Sequence, residues 1–256
     1  MVRSWVVLVG AVGVIFGVPL GVVRAADLPL KAPVYKVPMA YNWTGFYVGG
    51  HLGGGWSTVS PVAIDPTAAF PVGTAFNSGH LSGALGGIQA GYNYQMDRWV
   101  FGIEGEYSWA RLRGSETTPG TGFTETTNYR SPYAAILAGR VGYAADRALW
   151  YVKGGGGWTK FSYPGLTVVN GSGALSDTFG GSVTESGWVI GGGVEWSFAP
   201  HWSVKLEYDH FDFGHFNNIV SDSLLGNLRR RVSADYDEVK VGVNYLFNSA
   251  MAARRR

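Results

Sequence analysis

Four carboxylates and four cations occupy positions that would put them on one side of extended segments. Glu104 and Glu106 are two residues apart, as are Lys205 and Glu207, while Arg140, Lys153, Glu195 and Lys240 each stand among apolar or small neighbours. Residues i and i+2 of a strand share a face. These eight would therefore meet if their strands closed around one interior. In a narrow dry space an unpaired charge costs several kcal/mol, so mutual pairing is expected, with Glu238 a candidate fifth anion. Such a network would either plug the interior or line a gated ion path.

The five histidines invite a check for catalysis and metal binding. His210 and His215 lie near Asp209, Asp212, Ser221 and Ser223, from which a His–Ser or His–Asp set could be assembled. No motif spacing joins them, and these are ordinary residue types for the edge of a loop. No catalytic residue is assigned. Five apart on a regular strand, His210 and His215 face opposite sides and make a poor metal pair. With no cysteine in the chain, neither a disulfide scaffold nor a cysteine-based zinc site is available. No metal or cofactor is expected.

The elements that would hold these charges are read from composition and alternation. The chain has 256 residues, 39 of them Gly, with 10 Trp, 14 Tyr and 13 Phe. Charged residues make up 15 %, against ~25 % in ordinary globular chains. Without a Gly-X-Y period the glycine is not collagen, and 14 % aromatic residues argue against disorder. Three of the 20 cations are the terminal Arg254, Arg255 and Arg256, so no basic stripe remains for nucleic acid.

Residues 1–25 read as a secretory signal: Arg3 near the start, an uncharged apolar run from Val6 to Val18, and small residues up to Ala25. Cleavage after Ala25 is expected. The run is too short for the ~20 residues that span a bilayer as a helix. Removing Arg3 and Arg24 from the 20 Lys and Arg leaves 18, equal to the 18 Asp and Glu. Residues 26–42, with Pro29, Pro33 and Pro38, suggest an extended tether. A barrel is expected over 43–247 and a basic tail over 248–256.

Period-2 segments recur near 43–57, 79–95, 99–112, 128–144, 149–163, 183–198, 202–213 and 232–247. Connections of three or four residues alternate with polar ones of roughly 15 to 20, which is the pattern of tight periplasmic turns and long extracellular loops. In the third segment Trp99, Phe101, Ile103, Tyr107 and Trp109 share one face and oppose Glu104 and Glu106. In the sixth, Trp188, Ile190, Val194 and Trp196 oppose Glu195. In the seventh, Trp202, Val204, Leu206 and Tyr208 oppose Lys205, Glu207 and Asp209. An eight-stranded barrel has an interior only just wide enough for its side chains, so it could not hold these aromatic faces. They must face lipid. The expected fold is all-β, an eight-stranded antiparallel up-and-down transmembrane β-barrel.

Aromatic spacing agrees. Trp99 and Trp109 are 10 apart, and Trp150 and Trp158, like Trp188 and Trp196, are 8 apart. Tilted at ~40°, such stretches rise roughly 20 to 25 Å, the height of the apolar band between two aromatic girdles. Trp99, Trp109, Trp150, Trp158, Trp188, Trp196 and Trp202 are assigned to the lipid interface. Apolar residues three apart near Tyr236-Asp237-Glu238-Val239 suggest a bulge there.

The sequences Ala26-Asp27-Leu28-Pro29, Tyr41-Asn42-Trp43-Thr44-Gly45-Phe46-Tyr47-Val48-Gly49-Gly50 and Val239 to Phe247 resemble the small, porin-like outer-membrane β-barrel proteins of alphaproteobacteria. That group includes the major outer-membrane antigens of Brucella and rhizobia and the haemin-binding proteins of Bartonella. The resemblance implies a Gram-negative outer-membrane location and a surface antigen. The last strand also looks like the insertion signal read by the barrel-assembly machinery, carried by Lys240, Gly242, Tyr245 and Phe247. By family analogy alone, haem capture would involve His51, His80, His210 or His215.

The first loop, about 58–78, is apolar for its position, with Val62, Ile64, Phe70 and Val72. The last loop places Ile219, Leu224, Leu225 and Leu228 before Arg229, Arg230 and Arg231, a spacing compatible with a short amphipathic turn facing lipopolysaccharide phosphates. The alternative is a loop packed over the barrel mouth. The expected function is non-enzymatic support of the envelope and surface interaction, with the lumen plugged by paired charges. The rivals are a narrow channel for small solutes and a receptor for haem or a host ligand.

Overall fold

The computed structural model describes residues 41–65, 72–120, 123–170, 175–222 and 226–247. The expected signal segment, nearly all of 26–42, the centre of the first loop and the tail 248–256 lie outside them. Eight strands follow in chain order: β1 (Gly45–Ala63), β2 (Gly79–Met96), β3 (Trp99–Gly120), β4 (Phe123–Ala145), β5 (Ala148–Asn170), β6 (Leu175–Ala199), β7 (Trp202–Asp222) and β8 (Gly226–Phe247). Each pairs antiparallel with its neighbours in sequence, and β8 returns to β1 to close the barrel. Among the described residues no helix is long and apolar enough to cross a membrane.

One end is closed by turns of two residues. Met96 pairs with Trp99 and Ala145 with Ala148, leaving Asp97-Arg98 and Asp146-Arg147 to reverse the chain. Asp97 and Asp146 both take φ of 53°, a left-handed conformation that a short polar side chain tolerates. At the other end the strands run on well past the expected limits. Segments read as loops near 113–127, 164–182 and 214–231 are largely strand and pair with their neighbours, with local register shifts in the second and at the start of the third. Arg229, Arg230 and Arg231 lie in β8, opposite Ile219, Asn218 and Asn217 of β7, so the expected amphipathic turn is replaced by strand. The ladder satisfies their backbone groups, which a lone helical turn would leave open.

The two faces of the wall exchange chemistry partway up. In the lower part of β8, Val239, Val241 and Val243 face out and Lys240 faces in. Above Glu238 the inward residues become Tyr236, Ala234 and Val232, and the outward ones Asp237, Asp235 and Arg231. Strand β7 switches at the same level, from outward Leu206 and Tyr208 to inward Phe211 and Phe213. His210 is opposite Asp237 in the register. No bulge occurs at Tyr236–Val239, where the pairing of β8 runs regularly on both sides. The apolar residues three apart there mark the change of solvent, not a slip of the strand. The β7–β8 pairing shifts elsewhere, between Asp212 and His215 in β7, where Gly214 takes φ of 61°.

The interior is therefore layered. Trp43, Val100, Ala144, Leu149 and Tyr151 pack together at the tight-turn end. A charged middle follows, and above it an apolar cluster built around Phe161, Phe211, Phe213, Phe216 and Tyr236. Two inward glycines make room for tyrosines of the charged layer's borders. A Cβ on Gly193 would lie 2.9 Å from the Tyr151 hydroxyl, and one on Gly55 would lie 2.8 Å from that of Tyr236.

Candidate functional site

Alternation alone brings the eight expected charges together, because each occupies an inward position on β3 to β8. Glu104, Glu106, Arg140, Lys153, Glu195, Lys205, Glu207 and Lys240 are all in the lumen, none more than 5 % exposed. Asp209 and Glu238 join them, both with 0 % exposure. The middle layer thus holds six carboxylates and four cations, where the sequence counted four of each and a candidate fifth anion.

Three lysines converge on Glu106. Lys153 lies 2.9 Å and Lys205 3.0 Å from its Oε1, and Lys240 contacts its Oε2. Glu207 is shared in the same way, at 2.9 Å from Lys153, 3.3 Å from Lys205 and 3.1 Å from Lys240. Lys240 also reaches Asp209 at 2.7 Å and Glu238 at 2.8 Å. Arg140 forms the lower edge, 3.3 Å from Glu195 and 3.6 Å from Glu104, with its guanidinium between the rings of Tyr47 and Tyr151.

The surplus of carboxylates is met by neutral donors. Tyr47 donates to Glu104 at 2.6 Å, Tyr151 to Glu207 at 2.5 Å and Tyr236 to Glu238 at 2.9 Å. Ser203 and Asn244 donate to Glu195. Hydrogen bonds to an ionised acceptor are roughly twice as strong as neutral ones, which suits a layer short of cations. Two triplets of carboxylates, Glu104–Glu106–Glu207 and Glu106–Asp209–Glu238, are close enough to hold a metal ion. The lysine ammonium groups already occupy the space between them, so they read as an internal salt.

Trp43 was expected at the start of β1 but precedes it and seals the end of the lumen at 1 % exposure. Its backbone N–H donates to Gln95 Oε1 at 2.8 Å, and Thr44 Oγ1 accepts from the Gln95 backbone N–H. Tyr41, assigned to the tether, packs edge-on against Trp43, and its N–H donates to the Asp146 carbonyl. The tether's last residues thus belong to the barrel. Apart from the Asn42–Trp43 polar-aromatic step, no signal in the sequence separates an inward Trp from the lipid-facing ones.

The seven assigned interface tryptophans, Trp99, Trp109, Trp150, Trp158, Trp188, Trp196 and Trp202, point outward and are 40 % to 60 % exposed. Trp56 belongs with them. Of the residues read as an insertion signal, Lys240 and Gly242 face the lumen, whereas Tyr245 and Phe247 face out beside Val48 and Phe46 of β1.

The histidines do not gather. His51 is buried in the lumen, with Nδ1 donating to Gln89 Oε1 at 2.7 Å and Nε2 bonded to Ser108 Oγ at 2.8 Å. His210 Nδ1 is 2.7 Å from Asp237 Oδ1, which also accepts from Tyr208. His215 Nδ1 bonds Ser233 Oγ at 2.7 Å. The expectation that His210 and His215 face opposite sides fails, because the shift at Gly214 inserts a residue and returns both to the outer wall. Their partners differ, and neither shares a site with His51 or the exposed His80. Asp212 accepts from the Gly214 N–H and joins neither histidine, while the Ser221 side chain and Ser223 lie outside what the structure describes.

Residues 23–247 match the family model of the outer membrane protein beta-barrel domain. The 31 kDa outer-membrane immunogenic protein of Brucella melitensis biotype 1 is 29 % identical over 237 residues, covering 88 % of this chain and 91 % of its own length. The 25 kDa outer-membrane immunogenic protein of Brucella abortus biovar 1 is 28 % identical, covering 86 % and 85 %. The 22 kDa outer membrane protein of Rhizobium leguminosarum bv. viciae is 24 % identical, covering 85 % and 82 %. Among solved structures, the outer membrane protein OprG from Pseudomonas aeruginosa superposes with a TM-score of 0.51 at 14 % identity, covering 82 % of this chain and 99 % of its own. That last likeness concerns the fold alone.

Proposed function

This chain belongs to the outer membrane protein β-barrel family and is an outer-membrane barrel, and from that premise we propose that it is a closed, non-enzymatic barrel that supports the envelope and presents its outer rim for surface interaction. The observation that carries this reading is the stacked interior. Trp43, the ten-residue charge layer and the Phe-rich cluster above it are stacked along the interior, which supports a closed lumen. Removing one partner from a buried ion pair costs about 3–5 kcal/mol, so a layer this interlinked resists opening.

A catalytic role finds little support. The His215–Ser233 pair is exposed on the outer wall, and among the described residues no carboxylate is hydrogen-bonded to that imidazole. Haem capture is likewise unsupported by a pair of histidines on one site. Export with cleavage after Ala25, and insertion by the barrel-assembly machinery through Lys240, Gly242, Tyr245 and Phe247, complete the proposal.

The test is conductance. Refolded barrel in planar bilayers is expected to show no steady current. A stable, porin-sized step would overturn the closed-lumen reading in favour of a narrow solute channel. Haem titration of the same preparation, followed by absorbance, is expected to give no saturable binding.

A further inference from the structure

Just beyond the upper tryptophans, the outer wall of β3, β4 and β5 carries Arg111, Arg113, Arg130 and Lys160. Their neighbours along the strands, including Leu112, Tyr129, Ser131 and Phe161, are buried, which fixes the four cations on the outside. Arg111 stands two residues above the outward Trp109, and Lys160 two above the outward Trp158. Arg113 is directly opposite Arg130 in the β3–β4 register. Like charges facing each other across an antiparallel pair destabilise it. Among the described residues none of these four side chains has an ion pair or hydrogen bond. The outward neighbours Ser82, Ser115, Asn128 and Ser162 supply no carboxylate.

We propose that this wall seats the phosphates of a phosphorylated glycolipid headgroup of the lipid A type, whose acyl chains lie along the apolar band below. Height and charge both select that occupant. The girdle of Trp109 and Trp158 marks the depth at which hydrocarbon gives way to headgroups, and the cations begin one outward position above it. Guanidinium groups match phosphate oxygens with paired donors, and an anion lodged between Arg113 and Arg130 converts their repulsion into attraction. The patch differs from the arginine run at 229–231, which lies on β8 across the barrel. The proposal rests on the barrel's span of the outer membrane and not on its closed lumen, so a conductance result does not bear on it.

The test uses refolded full-length mature barrel in nanodiscs of zwitterionic lipid, titrated with bis-phosphorylated lipid A and read by native mass spectrometry. A variant combining Arg111→Gln, Arg113→Gln, Arg130→Gln and Lys160→Gln is expected to retain at least about tenfold less lipid A. Asp235→Asn, outward on the far wall, is expected to bind as the wild type does. Lipid A stripped of its phosphates should bind the wild type and the fourfold variant alike, at the variant's low level. Equal retention of the phosphorylated lipid by a correctly folded fourfold variant, or equal binding of the stripped lipid by the wild type, would overturn the proposal. So would displacement by inorganic phosphate at the same phosphate concentration, which would mark a free-phosphate site. Folding is checked by heat-modifiable gel migration. Should the fourfold variant not fold, Arg113→Gln alone decides: a drop to about one third supports the site, and unchanged retention refutes it.

Discussion

Lys240 on β8 and Glu106 on β3 are 134 residues apart in the chain and meet across the lumen through Nζ and Oε2. The contact ties two strands that share no ladder. Lys240→Met would leave Glu238 and Asp209 without their shared cation and is expected to cost about 3–5 kcal/mol. Adding Glu106→Gln should recover part of that loss, giving a coupling of about 1–3 kcal/mol in a double-mutant cycle. Urea unfolding of the barrel in detergent measures both. Strict additivity would show that Lys240 and Glu106 contribute no interaction energy to each other despite their contact.

Trp43 closes the tight-turn end, and its indole Nε1 has no hydrogen-bond partner among the described residues. Its contribution is then packing, not polarity. Trp43→Ala is expected to destabilise the barrel by about 3–5 kcal/mol, and Trp43→Phe by clearly less. Equal losses for the two variants would mean that the indole nitrogen matters after all.

Gly154 and Gly155 are adjacent in β5 but meet different surroundings. A Cβ on Gly154 would lie 3.7 Å from the Val189 carbonyl oxygen, an ordinary contact, whereas one on Gly155 would run into the backbone of β4 at Leu137. Gly154→Ala is expected to fold normally, and Gly155→Ala to lose most of the heat-modifiable folded band. A normal yield for Gly155→Ala would mean that the β4–β5 spacing can relax.

Asp65 accepts two hydrogen bonds from the Arg229 guanidinium, at 2.7 Å and 2.9 Å, beside the bond from Ile64 N–H to the Arg229 carbonyl. The Arg229 side chain holds the Asp65 carboxyl below its ordinary value. A carboxyl so lowered contributes stability above the usual aspartate range and loses it as pH falls through its own lowered pKa. Asp65→Asn should speed hydrogen exchange at the Ile64 amide about two- to fivefold at neutral pH. The difference from wild type should vanish in acid, where the wild-type carboxyl is protonated too. A difference that persisted in acid would assign the effect to the substituted side chain itself.

Much of this architecture is legible from alternation. Trp202, Val204, Leu206 and Tyr208 against Lys205 and Glu207 disclose both faces of β7, and the same logic finds the eight lumen charges. The reading fails where the solvent changes. Phe211 and Phe213 break the outward apolar face because above the girdle the wall meets water on its outside and an apolar cluster on its inside. One parity rule applied throughout therefore sees a bulge at Tyr236–Val239 and loops where strands continue. The shift of β7 at Gly214 has a one-residue signal that ordinary loop glycines share, and it reverses the side on which His215 stands. Trp43 escaped because burial at a barrel mouth depends on chain path, which no local pattern carries.

The exchange of faces also governs where the molecule rests along the bilayer normal. Sinking by one outward position, roughly 5 Å at the strand tilt, would draw Arg111 and Lys160 towards hydrocarbon. Rising by as much would lift Trp109 and Trp158 out of the interface and pull the lower aromatic ring, with Trp99 and Trp196, into the acyl chains. Both displacements are opposed, so the wall supplies a restoring force in each direction. The wall itself holds the barrel at its depth.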